Sequence, residues 1–299
     1  MELGKLGVWF FFDRMSAVDA ATFARRVEAA GYGTLWAPEA FGREALSASS
    51  WLLAATEKLN IATGIANIYG RDALGMANAQ KTLDEQSGGR FVLGIGVSHQ
   101  PLVEGLRGHD YTKPYSFMRT YLDLMAKAPY SAPVLEGAGT TIIGALHPKM
   151  LRLAADRTAG AHPYLMPPEH TAFAREIMGK GPLLCPEQKV LLTQDAEKAR
   201  AVARASIAIY LSLPNYRRSL MRFGVTESDF DNGGSDKLVD MIVAWGDVDT
   251  IKARIQAHFD AGADHVCIQP LHPDGDAAGG QPDWNVLDAL APGTSAPGN

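Results

Sequence analysis

Short apolar runs alternate along this chain with longer stretches in which apolar residues recur at helical spacing. Leu6–Phe12 reads as a strand, and Val18–Ala30 as a helix with Phe23, Val27 and Ala30 on one face, closed by Gly31. The pattern predicts further strands at Thr34–Ala37, Ile61–Ile68, Phe91–Val97, Thr141–Ala145, Gly160–Leu165, Val190–Thr193 and His265–Gln269. Between them it predicts helices over 45–58, 73–86, 116–127, 148–156, 169–178, 196–211 and 248–260, with a short one near 285–290. Ala30-Gly31-Tyr32-Gly33-Thr34-Leu35-Trp36 and Ala261-Gly262-Ala263-Asp264-His265-Val266-Cys267 share one design, a glycine ending an amphipathic helix just before an apolar strand. Repeated units of this kind imply a mostly parallel sheet. About eight strands, each followed by a helix, is the number that closes a (β/α)8 TIM barrel. No Pro/Gly-rich linker divides the chain into the two halves of a doubly wound sheet. Residues 213–236 break the rhythm with Arg217, Arg218, Arg222 and Asn232-Gly233-Gly234, and read as an insertion before the last βα unit. The expectation is an α/β fold with one barrel domain over 1–290 and a flexible tail at 291–299.

Composition narrows the function classes. The chain has 299 residues, 46% hydrophobic and 20% charged, enough apolar material for a substantial core. A net charge of −5 argues against nucleic acid as a partner, because phosphate binding needs a dense basic face. Val8–Phe12 is ended by Asp13 and Arg14, far short of the roughly 20 apolar residues of a membrane span. Cys185 and Cys267 cannot staple a chain this long, so a reducing, cytoplasmic setting is expected.

Chemistry in a parallel barrel sits on the loops after the strands. Asp13, Glu39, Asn67, Tyr69, Ser98, His99, His147, His162, Tyr164 and Gln269 fall there, although loops are polar in any protein. In Gly94-Ile95-Gly96-Val97-Ser98-His99 the glycines allow close backbone approach, and exposed N–H groups with Ser98 and His99 suit a phosphate. A tight exit from a strand explains the same glycines equally well. Pro148 stands at a helix start with Lys149 and Arg152 nearby, a place that attracts anions or is an ordinary solvated helix end. There is no His-Glu-x-x-His, no paired Cys-x-x-Cys, no G-x-S-x-G and no P-loop.

Assembled in order, these pieces resemble the bacterial luciferase-like superfamily, and within it the deazaflavin-dependent oxidoreductases that use coenzyme F420. The likeness rests on Gly31–Glu39, Ala62–Gly70, Leu83-Asp84-Glu85-Gln86-Ser87-Gly88-Gly89-Arg90-Phe91, Leu93–His99, and Ala145–Asp156 running into Gly160-Ala161-His162-Pro163-Tyr164-Leu165. Pro168-Glu169-His170-Thr171 and Pro182–Val190 read like one subgroup of that family. The resemblance implies a (β/α)8 barrel with an insertion, and a reduced flavin or deazaflavin across the barrel mouth. It also implies a non-prolyl cis peptide at Gly64-Ile65, or one position earlier at Thr63-Gly64, forming a bulge behind the cofactor ring. By the same resemblance Gly64, Ile65, Asn67, Gly96, Val97, Ser98, His99, Ala161, His162 and Pro163 bind the cofactor. Two positions depart from the pattern: Ala40 stands where many relatives have a histidine beside the acidic residue, and His147 where the subgroup has glycine.

The function implied is transfer of a hydride between coenzyme F420 and a small organic substrate, with Glu39, Tyr69 and His99 as candidates for the accompanying proton. Each also has a structural role open to it: a carboxylate brace, a core tyrosine and a phosphate contact. The alternatives are an FMN-dependent monooxygenase on the same scaffold and a cofactor-binding barrel without turnover. A homodimer is expected from the resemblance; metal, nucleic-acid and membrane partners are not.

Overall fold

Every strand pairing in the sheet is parallel, as expected for strands separated by helical crossovers. The computed structural model describes residues 1–137, 139–275 and 281–293. The chain runs β1 (Leu6–Trp9), α1 (Ala17–Ala29), β2 (Thr34–Ala37), α2 (Ala45–Ala55), β3 (Asn60–Thr63), β4 (Ala66–Asn67), α3 (Ala73–Ser87) and β5 (Phe91–Gly96). A π-helical turn, Pro101–Leu106, precedes α4 (Pro114–Ala126), β6 (Thr140–Ile143), α5 (Pro148–Arg157), β7 (Gly160–Ala161) and α6 (Pro168–Met178). Then come β8 (Leu183–Leu184), β9 (Glu187–Leu192), α7 (Ala196–Leu211), α8 (Pro214–Met221), a 3-10 segment at Glu227–Gly233, and α9 (Asp236–Ile242). The last elements are β10 (Val243–Gly246), α10 (Val248–Asp260), β11 (Val266–Pro270) and α11 (Trp284–Ala289).

The sheet closes through one strand, 183–192, bent between β8 and β9. Its first half bonds to β7, with Leu183 N–H on Ala159 O and Cys185 N–H on Ala161 O. Its other edge takes Asp264 N–H on Leu184 O and Cys267 N–H on Pro186 O, which brings in β11 and, beyond it, β1. The ring is therefore β1, β2, β3, β5, β6, β7, β8–β9 and β11, the expected TIM-type barrel. The strand expected at Ile61–Ile68 is interrupted instead: β3 ends at Thr63, and β4 pairs separately with β5.

Between β9 and α10 the chain makes α7, α8, the 3-10 segment, α9 and β10. Residues 213–236 thus lie in a larger excursion with its own apolar cluster, in which Ile207, Leu211, Tyr216, Leu220, Phe230 and Leu238 pack together with Leu191 of β9. The main core lies between the ring and its helices, and a smaller cluster including Trp9, Trp36, Ala62, Val92, Ile142 and Cys267 belongs to the strands. Both cysteines are buried and free. Residues 294–299 of the expected tail lie outside the described residues. No helix among the described residues is long and apolar enough to cross a membrane.

Candidate active site at the barrel mouth

The Gly64–Ile65 peptide bond is cis. This bulge explains the two glycines of β5. A Cβ at Gly94 would lie 1.9 Å from Thr63 O, and one at Gly96 would lie 2.3 Å from Ile65 Cδ1. Thr63 Oγ1 donates to Gly94 O at 2.6 Å, and Asn67 is in register with Gly96. Gly64, Ile65, Asn67 and Gly96 thus form one wall, and the glycines serve its packing. Trp9 braces it from β1, its indole N–H donating to Gly64 O at 2.9 Å.

Directly after β5 the backbone turns at Ser98, a non-glycine residue with φ +56°. Its carbonyl accepts from Tyr111 Oη at 2.8 Å. The N–H groups of Ser98 and His99 donate to no group of the described residues. An N–H pair next to a left-handed residue is the arrangement that receives a phosphate oxygen. Val97 and Ser98 are half-buried here. His99 faces α8: its ring centroid is 5.5 Å from that of Tyr216, and the Asn215 side chain is a hydrogen-bond partner. Burial lowers the His99 pKa, favouring the neutral imidazole, and the Asn215 contact opposes this.

Glu39 is committed to a brace. Its carboxylate takes the Asn67 N–H at 2.7 Å and Arg71 Nη1 at 3.0 Å, and pairs with Arg71 Nη2, which also reaches Glu44. Tyr69 packs outward, stacked on Phe117 at 4.4 Å, with burial and then Asp110 raising its pKa. His162 lies within the strand cluster rather than at its rim. It is 2% exposed, stacked 4.5 Å from Trp36, and its Nδ1–H donates to Cys185 O at 2.7 Å. Ala161 and Pro163 are strand wall, accepting from the N–H groups of Cys185 and Glu187. The structure therefore groups 64, 65, 67 and 96–99, and sets 161–163 apart as barrel framework.

The opposite wall carries a cluster in which Tyr164 and Gln269, noted in the sequence, meet a charged pair, Glu187 and Lys189, that was not among the candidates. Lys189, 1% exposed, donates from Nζ to Tyr164 Oη at 2.8 Å and Gln269 Oε1 at 2.6 Å. Glu187 Oε1 lies 3.8 Å from Nζ, and Glu187 Oε2 accepts the Leu165 N–H at 3.0 Å. Burial pushes the Lys189 pKa down to about 8 and the Glu187 pKa up, each charge opposing the shift of the other. Tyr164 also donates to Tyr210 Oη at 3.1 Å, and its ring is 5.0 Å from that of Trp9. The rings Tyr164, Tyr210, Tyr216 and His99 form a continuous series of contacts from this wall to the Ser98 loop. The sequence did carry a signal: Glu187, Gln188 and Lys189 open a strand that continues Val190-Leu191-Leu192, and charge within a buried strand needs buried partners. Among the described residues, His162 Nε2 and Glu187 Oε1 are buried without a hydrogen-bond partner, and no group of His, Cys, Asp or Glu is placed to hold a metal.

Residues 5–265 match the luciferase-like monooxygenase family. A Mycobacterium tuberculosis protein, provisionally named as a coenzyme F420-dependent oxidoreductase, is 26% identical over 331 residues, covering 90% of this chain and 94% of its own. The coenzyme F420-dependent tetrahydromethanopterin reductase of Methanopyrus kandleri superposes with a TM-score of 0.76 at 17% identity, over 97% of this chain and 98% of that one. The oxygenating constituent of 3,6-diketocamphane monooxygenase from Pseudomonas putida, solved with FMN, gives 0.72 at 16%, over 98% of both. With its parallel barrel and the family match across most of its length, the chain belongs to the luciferase-like monooxygenase family of oxidoreductases.

Proposed function

We propose that the protein is a coenzyme F420-dependent oxidoreductase that moves a hydride between the deazaflavin and a small organic substrate. The observation that carries this reading is the Ser98–His99 loop, with its two uncommitted N–H groups at the end of β5 beside the cis bulge. The named relationship of the Mycobacterium tuberculosis protein supports the choice of cofactor. When bound, a deazaflavin supplies two-electron hydride chemistry. The residues of this chain would hold it: Ser98 and His99 the phosphate, Gly64 and Ile65 the ring side, and Asn67 the edge of the bulge. Lys149 and Arg152, both exposed on the first turns of α5, would attract an anionic tail through screened charge. Glu39 would keep Arg71 and the Asn67 backbone in place.

Binding of coenzyme F420 and FMN, compared by fluorescence quenching or calorimetry, tests this. The deazaflavin is expected to bind more tightly at low salt, with the preference shrinking as salt rises. Equal or tighter FMN binding overturns the assignment. It would favour the FMN-dependent monooxygenase, the reading supported by the FMN-bound structural relative. Binding without turnover across a substrate panel would favour a non-catalytic barrel.

A further inference from the structure

We propose that Lys189, Tyr164 and Tyr210 form a hydrogen-bonded relay that delivers a proton to the oxygen of a carbonyl substrate at the barrel mouth. This rests on the hydride-transfer reading and names its substrate class. The chain of donors has a direction. Lys189 Nζ donates to Tyr164 Oη at 2.8 Å, and Tyr164 Oη donates to Tyr210 Oη at 3.1 Å. Tyr210's own proton has no acceptor among the described residues. Tyr164 Oη also lies 2.9 Å from Gln269 Oε1, which accepts from Lys189 at 2.6 Å and has a second lone pair, so the relay operates when the single Tyr164 proton is turned to Tyr210. The relay thus starts at a buried cation and ends at a half-buried phenol on α7.

Burial alone gives no reason for a lysine here. An ammonium is costly to desolvate, and an apolar residue would fill the place without that cost. Nζ lies 4.8, 5.7 and 6.0 Å from the ring centroids of Tyr164, Tyr210 and Trp9, so the aromatic faces help to hold it. The titratable groups facing it are Glu187 on its own strand, Tyr164 after β7 and Tyr210 from α7.

In the reaction the carbonyl carbon receives the hydride, with its electron pair, from the reduced deazaflavin. As the C=O π bond breaks, the oxygen takes the proton of Tyr210. Tyr164 then reprotonates Tyr210, and Lys189 reprotonates Tyr164. The products are an alcohol and the oxidised deazaflavin, whose ring-nitrogen proton is released to solvent, and once the alcohol leaves, Lys189 is reprotonated back along the relay from its half-buried end at Tyr210. Tyr210 is the catalytic residue; Lys189 and Tyr164 act through it.

The test uses the intact protein with reduced coenzyme F420 and acetone, cyclohexanone and benzaldehyde as probes. At least one carbonyl is expected to be reduced. Y210F and K189M should each lower kcat ten-fold or more while KM changes less than three-fold. The wild-type kcat should fall as pH rises through about 8, where Lys189 loses its charge, and the K189M profile should be flat there. Independently of turnover, the Tyr210 signal in a 13Cζ-tyrosine NMR spectrum should move in K189M. An unchanged kcat in Y210F, a pH limb retained in K189M, or an unmoved Tyr210 signal would overturn the relay. A protein that binds the deazaflavin yet reduces none of the probes would overturn it too, leaving the cofactor assignment intact.

Discussion

The two walls of the barrel mouth are built by different means. On the β3–β5 side the backbone itself does the shaping: Thr63 O and Ile65 press into space that only Gly94 and Gly96 leave open. On the β7–β9 side the backbone also runs close, a Cβ at Gly160 lying 2.0 Å from Leu183 O, but the lining comes from side chains gathered from Tyr164, Glu187, Lys189, Tyr210 and Gln269. A wall made by backbone contact tolerates no added atom. A wall made by desolvated charge tolerates volume-conserving change but not a broken pair. Substitutions and pH should therefore act on the two sides in distinct ways.

The largest substitution effect should come from the backbone wall. Gly94→Ala sets a Cβ 1.9 Å from a carbonyl oxygen that cannot move without shifting β3. A destabilisation of about 3 kcal/mol or more is expected, at the high end for overpacking. Thermal denaturation should show it as a Tm lowered by roughly 6–12 °C. Gly105→Ala, with nothing within 4 Å of the new Cβ, is the control and should leave the Tm nearly unchanged. Equal Tm values for the two variants would mean that the close approach is not a constraint.

Acid should act through buried histidines instead. His162 and His265 are pushed down to about 4 by burial, as is His170, and His258 to about 3. Their folded pKa values lie below the unfolded value near 6.5, so the folded state binds fewer protons between those limits. Their contribution to stability is full above pH 6.5 and is lost progressively as the pH falls toward 4. Calorimetry at pH 7.5, 6.5 and 5.5 should show a Tm that is level over the first step and drops over the second. A Tm that holds to pH 5 would contradict the burial of these rings as neutral groups.

On the charged wall, Lys189→Met leaves Glu187 in the interior without its cation. Urea unfolding should show a loss of about 2–4 kcal/mol, below the full cost of a stranded charge because Glu187 can take up a proton. Lys189→Met combined with Glu187→Gln should recover at least about 1 kcal/mol, since the amide oxygen can still accept from Leu165. A double variant no more stable than the single one would show that the pair is not coupled.

This contrast also marks what was legible in the sequence. The alternation of glycine-closed helices and short apolar strands implies a parallel sheet covered on both faces, and about eight strands with no dividing linker select the barrel over a doubly wound sheet. Gly94 and Gly96 stand out in one short motif, and the position of the cis bond at Gly64–Ile65 comes from the family resemblance. Lys189 could not be placed in these ways: its partners Tyr164 and Gln269 are 25 and 80 residues away. Charge at Glu187 and Lys189 also hid the start of β9, which apolar patterning places at Val190. Glu39 reads as a base until Arg71, remote in sequence, is seen to occupy it. The strand expected at Ile61–Ile68 fails at the bulge, where close packing across β5 outweighs local β propensity.

The smallest effect on stability, and the finest test of the backbone wall, is at Ser98. A serine at φ +56° pays roughly 1 kcal/mol that glycine does not, while glycine adds a comparable entropy to the unfolded chain. Ser98→Gly should therefore shift the Tm by no more than about 2 °C, and the Tyr111 bond to the carbonyl of residue 98 needs no side chain. The N–H groups of 98 and 99 survive the change, but the hydroxyl is lost. If that hydroxyl joins them on a phosphate, titration with coenzyme F420 should show affinity reduced by about ten- to a hundred-fold, the worth of one hydrogen bond to a charged group. Ser98→Val separates the two terms, because it removes the same hydroxyl and adds a β-branch in the left-handed region, lowering both affinity and Tm. A glycine variant with unchanged affinity would leave the backbone donors as the sole phosphate contacts of this loop. A glycine variant with a sharply lowered Tm would show that the Ser98 side chain holds the wall together, a role for which its half-buried position offers no partner.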